Sequence, residues 1–569
     1  MNPAEPARSI PAPAGEPGSG PTPAETAPAD GVAPAETVLT RMQRRLGAEP
    51  FRPGIWGWIL PGLITVFAGI LRLRDLAHPH LLIFDETYYA KDAYALLIAG
   101  YELVWPEDAD GSWLAGDPQP TDEGSYVVHP PLGKWLIAIG LKLFGQDTAL
   151  GWRISAAVAG TLAVLLIALI AQRMFRSVFL GAFAGVLTAI EGHHLVMSRV
   201  GLLDIFMMFF VLAAFGALLL DRYSGRRRLA AWAVGHESPS GKSRHGPVLA
   251  LRPWRLFAGV LLGAAIAVKL SALAFLAVFG IMVILWDLQA RRAAGVERWF
   301  RAGMLRDAAA AVLTVLPLAG ATYVASWTGW LSSQGGWGRT WHLDNPATGL
   351  AQLIPGPIRS LWNYHLSATD FHQGLSNGHE YASSPWTWPF MGRPVSMHYD
   401  SVSEGEIYEQ TGETCASPTC SSAVLDLANP LIWWTGLIAV VLVVSLWLGR
   451  RDWRYGAILS GFVAGYLVWL LFPDRTMFFF YTISYHPFLI LAITAIAALV
   501  LGIGTSERRR DGALRSSGLI SIARRRNTVL LLCFLILCVA VSVFFLPLWT
   551  GEMIPYEQWR MRILIESWL

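Results

Sequence analysis

Eleven apolar runs constrain this chain more than any other feature. They cover residues 55–74, 152–172, 178–197, 201–220, 254–268, 270–287, 308–327, 430–448, 456–472, 483–503 and 528–548. About 20 apolar residues in sequence are enough to cross the hydrocarbon core of a bilayer. Hydrophobic residues make up 54% of the 569 residues and charged ones 15%, against roughly 25% charged in a soluble domain. The chain has too little charge to cover its apolar surface in water. The expected fold is therefore an all-α polytopic membrane protein of about 11 transmembrane helices. A net charge of +3 offers no field for a polyanion, so no nucleic-acid partner is expected.

One stretch decides the count. Residues 257–286 form a 30-residue apolar run, about 45 Å long as one helix. The flanking segment 222–255 holds eight Lys and Arg, and 288–306 holds five arginines. Basic loops stay in the cytoplasm, and only two short helices with a turn at Lys269 put both segments on that side. The N-terminus then lies inside, and 30 of the 44 Lys and Arg side chains face the cytoplasm.

Residues 1–50 are rich in Pro and Ala and carry few large apolar side chains; they are expected to form a disordered cytoplasmic tail. Residues 51–569 form the membrane-embedded domain. Two long extracytoplasmic loops interrupt it, at 75–151 and 328–428, and loops of that length in a compact body carry function. The first holds 12 Asp and Glu. Within it TYYAKDAYALLIAG is apolar on one face at helical spacing, which suits a helix lying on the membrane surface. The second is rich in Trp, Gly, Pro and His and shows little periodicity. Its Cys415 and Cys420 stand in an oxidising compartment, where pairing is open. Cys533 and Cys538 lie in the last apolar run and read as packing residues.

The chemistry concentrates on the outer side. LLIFDETYYAK places Asp85 and Glu86 side by side just past the first span, where charge is costly. Neighbours do not share a helix face, so they divide their roles. Two readings stand: both acids cap the following helix, or one accepts a proton from a hydroxyl while the other positions substrate. Arg153, Lys269 and Arg475 map to the same side. Each alone is explained by snorkelling to headgroups; three from separate spans beside an acidic loop point to a lipid-linked phosphate. HPPLGKWLI adds His129 and Lys134. No HExxH or CxxC spacing stands on this side and there is no P-loop, so neither a metal nor a nucleotide cofactor is expected; a need for divalent metal stays open.

These stretches resemble the protein O-mannosyltransferase family. FDETYYAKDA, HPPLGKW, RVGLLDIFMMFF, VKLSALAF and NGHEYASSPWTWPFMGRPVSMHY carry the resemblance, in order, from about residue 55 onward. It implies the type C glycosyltransferase (GT-C) fold. It also implies inverting transfer of mannose from a polyprenyl-phosphate-mannose donor to Ser or Thr hydroxyls of exported polypeptides, near the secretion translocon. The family's acidic pair falls on Asp85 and Glu86, with Asp85 preferred as base. Its donor-phosphate arginine falls on Arg153, helped by Lys269 and Arg475. Arg199, Asp204 and Ser271 match supporting positions, and His379, Trp386 and Arg393 lie in the tryptophan-proline stretch. Two departures stand out. The second loop is too short for the β-trefoil of eukaryotic members. Thr482 stands where a histidine is expected near Arg475, with His486 four residues on.

Other function classes remain to be weighed. One is a transferase of the same fold that moves arabinose-type sugars to a lipid or glycan. A flippase or transporter for lipid-linked sugar lacks the internal repeats it would show. A non-catalytic scaffold leaves the acidic pair without a task. The Ala- and Pro-rich tail and the preference for Arg over Lys suggest a high-GC bacterial source, hence the cell membrane.

Overall fold

The computed structural model describes residues 37–235, 244–249, 252–374, 378–503 and 517–569. Among them, eight helices are long and apolar enough to cross a membrane: Trp56–Leu73, Ala149–Phe175, Asp204–Gly235, Leu270–Ala293, Trp299–Ser326, Pro430–Arg450, Trp453–Leu471 and Arg524–Thr550. Three shorter apolar helices, Val178–Ile190, Pro253–Val268 and His486–Val500, stand in the remaining apolar runs. The protein is a multi-pass membrane protein. Its outer helices leave large apolar side chains bare, such as Leu313 at 74% and Ile536 at 68% exposure, and only lipid can cover such a surface.

The 257–286 stretch breaks into two helices. Pro253–Val268 ends at Lys269, whose backbone is extended (φ −145°, ψ 133°), and the chain re-enters the membrane from Leu273. The run at 178–197 also breaks, at Glu191. Its carboxylate accepts from the backbone N–H groups of His193 at 3.3 Å and His194 at 2.9 Å and so starts a separate short helix, Gly192–Met197. A carboxylate in the middle of an apolar run marks this break, because it can satisfy the bare donors of a new helix start.

Two details depart from expectation. Residues 1–36 of the tail lie outside the described residues, but Val38–Leu46 is a helix, not a disordered segment. Thr37 accepts from the N–H of Thr40 at 3.2 Å, Gly47 ends the helix at φ 62°, and Leu46 and Ala48 are buried with Leu229, Ala290 and Val296. Two apolar anchors and both caps outweigh the polar composition. Nor is the fold purely α. Val395–Ser403, Thr419–Asp426 and Ile554–Pro555 form a three-stranded antiparallel sheet with Thr419–Asp426 in the middle. The register runs from Val395 opposite Asp426 to Ser403 opposite Thr419, with an irregularity between Ser396 and His398. Cys415, in the connection between its two long strands, is disulfide-bonded to Cys420 on the second of them. The first four residues of VSMHYDSVS, Val395 to His398, alternate buried and half-buried side chains, as a half-buried strand should.

The sheet sits against the loop that leads to the acidic pair. The N–H of His80 donates to Gln410 Oε1 at 2.9 Å. His78 Nε2 and Ser422 Oγ both donate to the carbonyl of Gly551, each at 2.7 Å. First loop, sheet and the end of the last helix thus meet at one oxygen.

Candidate active site

Asp85 immediately precedes the helix Glu86–Ala99. The residue before it, Phe84, has φ 50°, a left-handed conformation that costs a non-glycine residue about 1 kcal/mol or more. Aromatic packing holds it there: the Phe84 ring lies 5.9 Å from His379, 5.8 Å from Phe478 and 5.8 Å from Phe480.

The two acids have unlike surroundings. Glu86 is fully buried. Its Oε1 accepts from Arg153 Nε and from the N–H of Gly201, both at 2.8 Å. Its Oε2 accepts from Arg153 Nη2 at 2.8 Å and from the N–H of Ile83 at 3.1 Å. Gly201 is required here, since a Cβ would come within 2.9 Å of the Trp152 carbonyl. Arg153, 1% exposed, also donates to the carbonyls of Leu76 at 3.3 Å, Pro79 at 2.8 Å and Leu81 at 3.0 Å. All five of its N–H donors are in use. This departs from the expected roles: every donor of Arg153 and both oxygens of Glu86 are engaged within the protein, not held open toward a phosphate or a substrate. They form a closed bidentate pair that fastens the loop to the second span.

Asp85 is half-buried and lightly held, with the Tyr89 hydroxyl at 3.5 Å. Burial pushes its carboxyl up to about 6, against the pull of Lys269. Lys269 Nζ donates to Asp204 Oδ2 at 2.7 Å and lies 5.0 Å from the Tyr481 ring centre. Arg475 lies 5.7 Å from the same ring and 5.5 Å from Trp469. Its Nη2 donates to His372 Nδ1 at 3.3 Å. Its Nη1 is buried without a hydrogen-bond partner among the described residues. Between the carboxylate and this guanidinium runs a row of rings: Tyr89 to His129 at 6.1 Å and His129 to His372 at 5.6 Å. Burial, then the charge of Lys269, keeps His129 well below the usual imidazole range. Burial and Arg475 take His372 down to about 4. Both imidazoles are neutral near pH 7.

The remaining candidates are placed as follows. Lys134 is buried and paired with Glu102, with Asp92 at 3.7 Å; it braces the first loop. Arg199 donates to the carbonyls of Leu71 at 3.3 Å, Arg72 at 3.1 Å, Arg74 at 2.6 Å and Asp75 at 3.0 Å, closing the C-terminal end of Trp56–Leu73. Ser271 Oγ faces Met207 Sδ at 3.3 Å. His379 is exposed and touches Phe84. Trp386 is 66% exposed. Arg393 donates to the carbonyls of Glu380 at 3.0 Å and Ser567 at 3.1 Å, and to that of Leu569. His486 does not reach the site: its Nε2 lies 3.1 Å from Glu191, and both are fully buried. Thr482 Oγ1 is hydrogen-bonded to His193 Nε2 at 3.1 Å, and the other ring nitrogen of His193 meets Asp426 at 2.6 Å. Among the described residues no three His, Cys, Asp or Glu side chains are grouped to hold a metal. Sequence reasoning passed over Phe84, Tyr89, His372 and Tyr481. Tyr89 follows Asp85 at helical i, i+4 spacing, a signal that was there to use; His372 carries no local signal.

Residues 128–235 match the family model for dolichyl-phosphate-mannose-protein mannosyltransferase, and residues 357–568 that for the C-terminal four-transmembrane region of protein-O-mannosyltransferase. The chain is 37% identical to the polyprenol-phosphate-mannose–protein mannosyltransferase of Mycolicibacterium smegmatis over 527 residues, 90% of this chain and 93% of that one. The chain belongs to the protein O-mannosyltransferase family. The Mycobacterium tuberculosis member is 36% identical over 525 residues, 90% of this chain and 92% of that one. The fold is that of a chain of the S. cerevisiae protein O-mannosyltransferase Pmt1–Pmt2 complex bound to the sugar donor, with a TM-score of 0.65 at 15% identity, over 92% of this chain and 94% of that one. The protein O-mannosyltransferase fold is a type C glycosyltransferase fold, and the chain is a glycosyltransferase.

Proposed function

We propose that this chain moves mannose from a polyprenol-phosphate-mannose donor to Ser or Thr hydroxyls of polypeptides in export, at the extracytoplasmic face of the cell membrane. The N-terminus lies in the cytoplasm. One observation carries the reading of the site. Asp85 is the outer-loop carboxylate of the acidic pair without fixed partners, and burial lifts it to about 6, basic enough to accept a proton and still ionised at pH 7.

The step is one displacement. The acceptor oxygen attacks the anomeric carbon while Asp85 takes its proton. The carbon–oxygen bond to phosphate breaks, and the polyprenyl phosphate leaves with the electron pair. Arg475 meets the phosphate with its free Nη1, and Lys269, which lies against the same Tyr481 ring, adds positive charge; charge stabilisation at the leaving group is the largest contribution. The sugar lies along Tyr89, His129 and His372. One base and no covalent intermediate mean inversion at the anomeric centre. The step as proposed draws on no metal.

The test uses membranes holding the full chain, labelled polyprenol-phosphate mannose and a Ser/Thr peptide. The expected result is labelled peptide of inverted anomeric configuration. Label that goes only to lipid, or a retained configuration, would overturn the reading.

A further inference from the structure

At the end of the bundle opposite Asp85, one buried cation is left over. Arg222 lies 18 residues past Asp204 on the helix Asp204–Gly235, about 27 Å along its axis. It is 6% exposed. Its guanidinium stacks 3.6 Å from the centre of the Trp453 ring and 5.5 Å from that of Trp286, and the two indoles meet edge to face at 5.7 Å. Three helices therefore build the slot. Among the described residues Arg222 has no hydrogen-bond or ion-pair partner, and its Nε is buried without one.

The acids nearby are all taken. Asp221 accepts from Arg252 at 2.8 and 2.7 Å and from Arg255 at 3.0 and 2.9 Å. Asp287 accepts from Arg252 at 2.9 and 2.8 Å and from Arg255 at 2.6 Å. Asp452 is bound by Arg454 at 3.1 and 2.6 Å and accepts from its backbone N–H at 2.9 Å. Two carboxylates balance two guanidinium groups in the first cluster, and the Asp452 pair balances itself. Arg226, one turn on from Arg222, donates to the carbonyls of Leu46 at 2.9 Å and Trp286 at 3.3 Å and to Gln289 at 3.0 Å. It adds positive charge and no acid.

A guanidinium is not left buried without an anion or a full set of acceptors. This one closes the apolar stretch of a spanning helix, 13 residues before the helix ends at Gly235 and about 27 Å from Asp204, roughly the thickness of a hydrocarbon core, in a chain whose own acids nearby are committed. We infer that Arg222 holds a phosphate group, that of an anionic phospholipid in the leaflet opposite the Asp85 side. The planar fork of Arg222 grips two phosphate oxygens while Trp286 and Trp453 fix its plane. The bound lipid joins the helices Asp204–Gly235, Leu273–Ala293 and Trp453–Gly465. The inference rests on membrane embedding and not on sugar transfer.

The test is native mass spectrometry of the full chain in detergent, titrated in separate arms with phosphatidylglycerol, phosphatidylcholine and inorganic phosphate, with thermal unfolding of the same samples. Wild type is expected to keep one phosphatidylglycerol, at least tenfold tighter than phosphatidylcholine, and to unfold at higher temperature with it. Arg222→Gln is expected to weaken that binding about tenfold and to lose the thermal shift. Arg450→Gln, an exposed arginine at the same end, keeps both. Inorganic phosphate that displaces the lipid from wild type supports a phosphate slot open to either source; phosphate without effect supports a slot built for the lipid. Equal retention by wild type and Arg222→Gln, or no preference of wild type for phosphatidylglycerol, overturns the inference. Should Arg222→Gln not be recovered folded, Arg222→Lys keeps the charge without the fork. It is expected to bind several-fold more weakly, and binding equal to wild type overturns the inference.

Discussion

The two ends of the helix bundle both bury charge, and they resolve it differently. At the end opposite Asp85, Asp221, Asp287, Arg252 and Arg255 form a closed square of ion pairs, and Arg291 is bound twice by Asp307 at 2.5 and 2.8 Å. At the Asp85 end Glu86 and Arg153 close on each other in the same way, but Asp85 and Arg475 do not. The difference teaches that a charged side chain with every donor or acceptor filled is a fastening, and chemistry belongs to the charges left partly unmet. Adjacent residues 85 and 86 fall on opposite sides of that line.

Changing Asp85 to Asn tests the distinction hardest. Mannose transfer is expected to fall by roughly 10²- to 10⁴-fold, read as labelled peptide per amount of folded protein. The thermal midpoint should hold or rise, because a carboxylate pushed up to about 6 is destabilised by being buried ionised. Breaking the closed pair with Arg153→Met should act the other way round. Leaving Glu86 buried and alone costs about 3–5 kcal/mol, seen as a lower denaturation midpoint and a loss of extractable protein; a normally stable Arg153→Met enzyme with raised donor KM would restore Arg153 as a phosphate contact. For Arg475→Gln the expected loss is about 10²-fold in kcat/KM for donor with little change in stability.

The pH profile gives a smaller effect with a definite sign. Asp85 acts ionised, so kcat/KM should rise about tenfold per pH unit below about 6 and level off above it; Asp85→Asn should flatten that limb. Stability runs in the opposite sense for this group. Its folded value lies above the ordinary 3.8, so its contribution grows as pH falls through 6 toward 4. Smallest of all, EDTA is expected to leave the rate unchanged, and recovery of activity only on adding divalent metal would require a metal in the step.

The apolar runs and the acidic pair are legible in the sequence because each is a local pattern. The break at Lys269 is legible too, through the charge on its flanks. What sequence hides is burial. Nothing next to Glu86 announces that Gly201 and Arg153 will fill both its oxygens, and nothing next to Arg153 announces the three carbonyls of residues 76–81. His372 lies 287 positions from Asp85 in sequence and joins the site only because the helix Gly356–Gly374 folds back onto the first loop. Composition also misled: Val38–Leu46 sits next to a Pro- and Ala-rich stretch but carries its own caps, and VSMHYDSVS stands among turns that mask its alternation.

The shared carbonyl of Gly551 has a wider meaning for this molecule. Gly551 has φ 77°, and a Cβ there would come within 3.1 Å of the His78 ring. A side chain at that point would push on His78, then on the stretch 76–81 that Arg153 grips, and so on the turn before Asp85. A residue hundreds of positions downstream thus acts as a set-screw on the aim of the base, and damage there would surface as poor turnover in a protein that still inserts and folds.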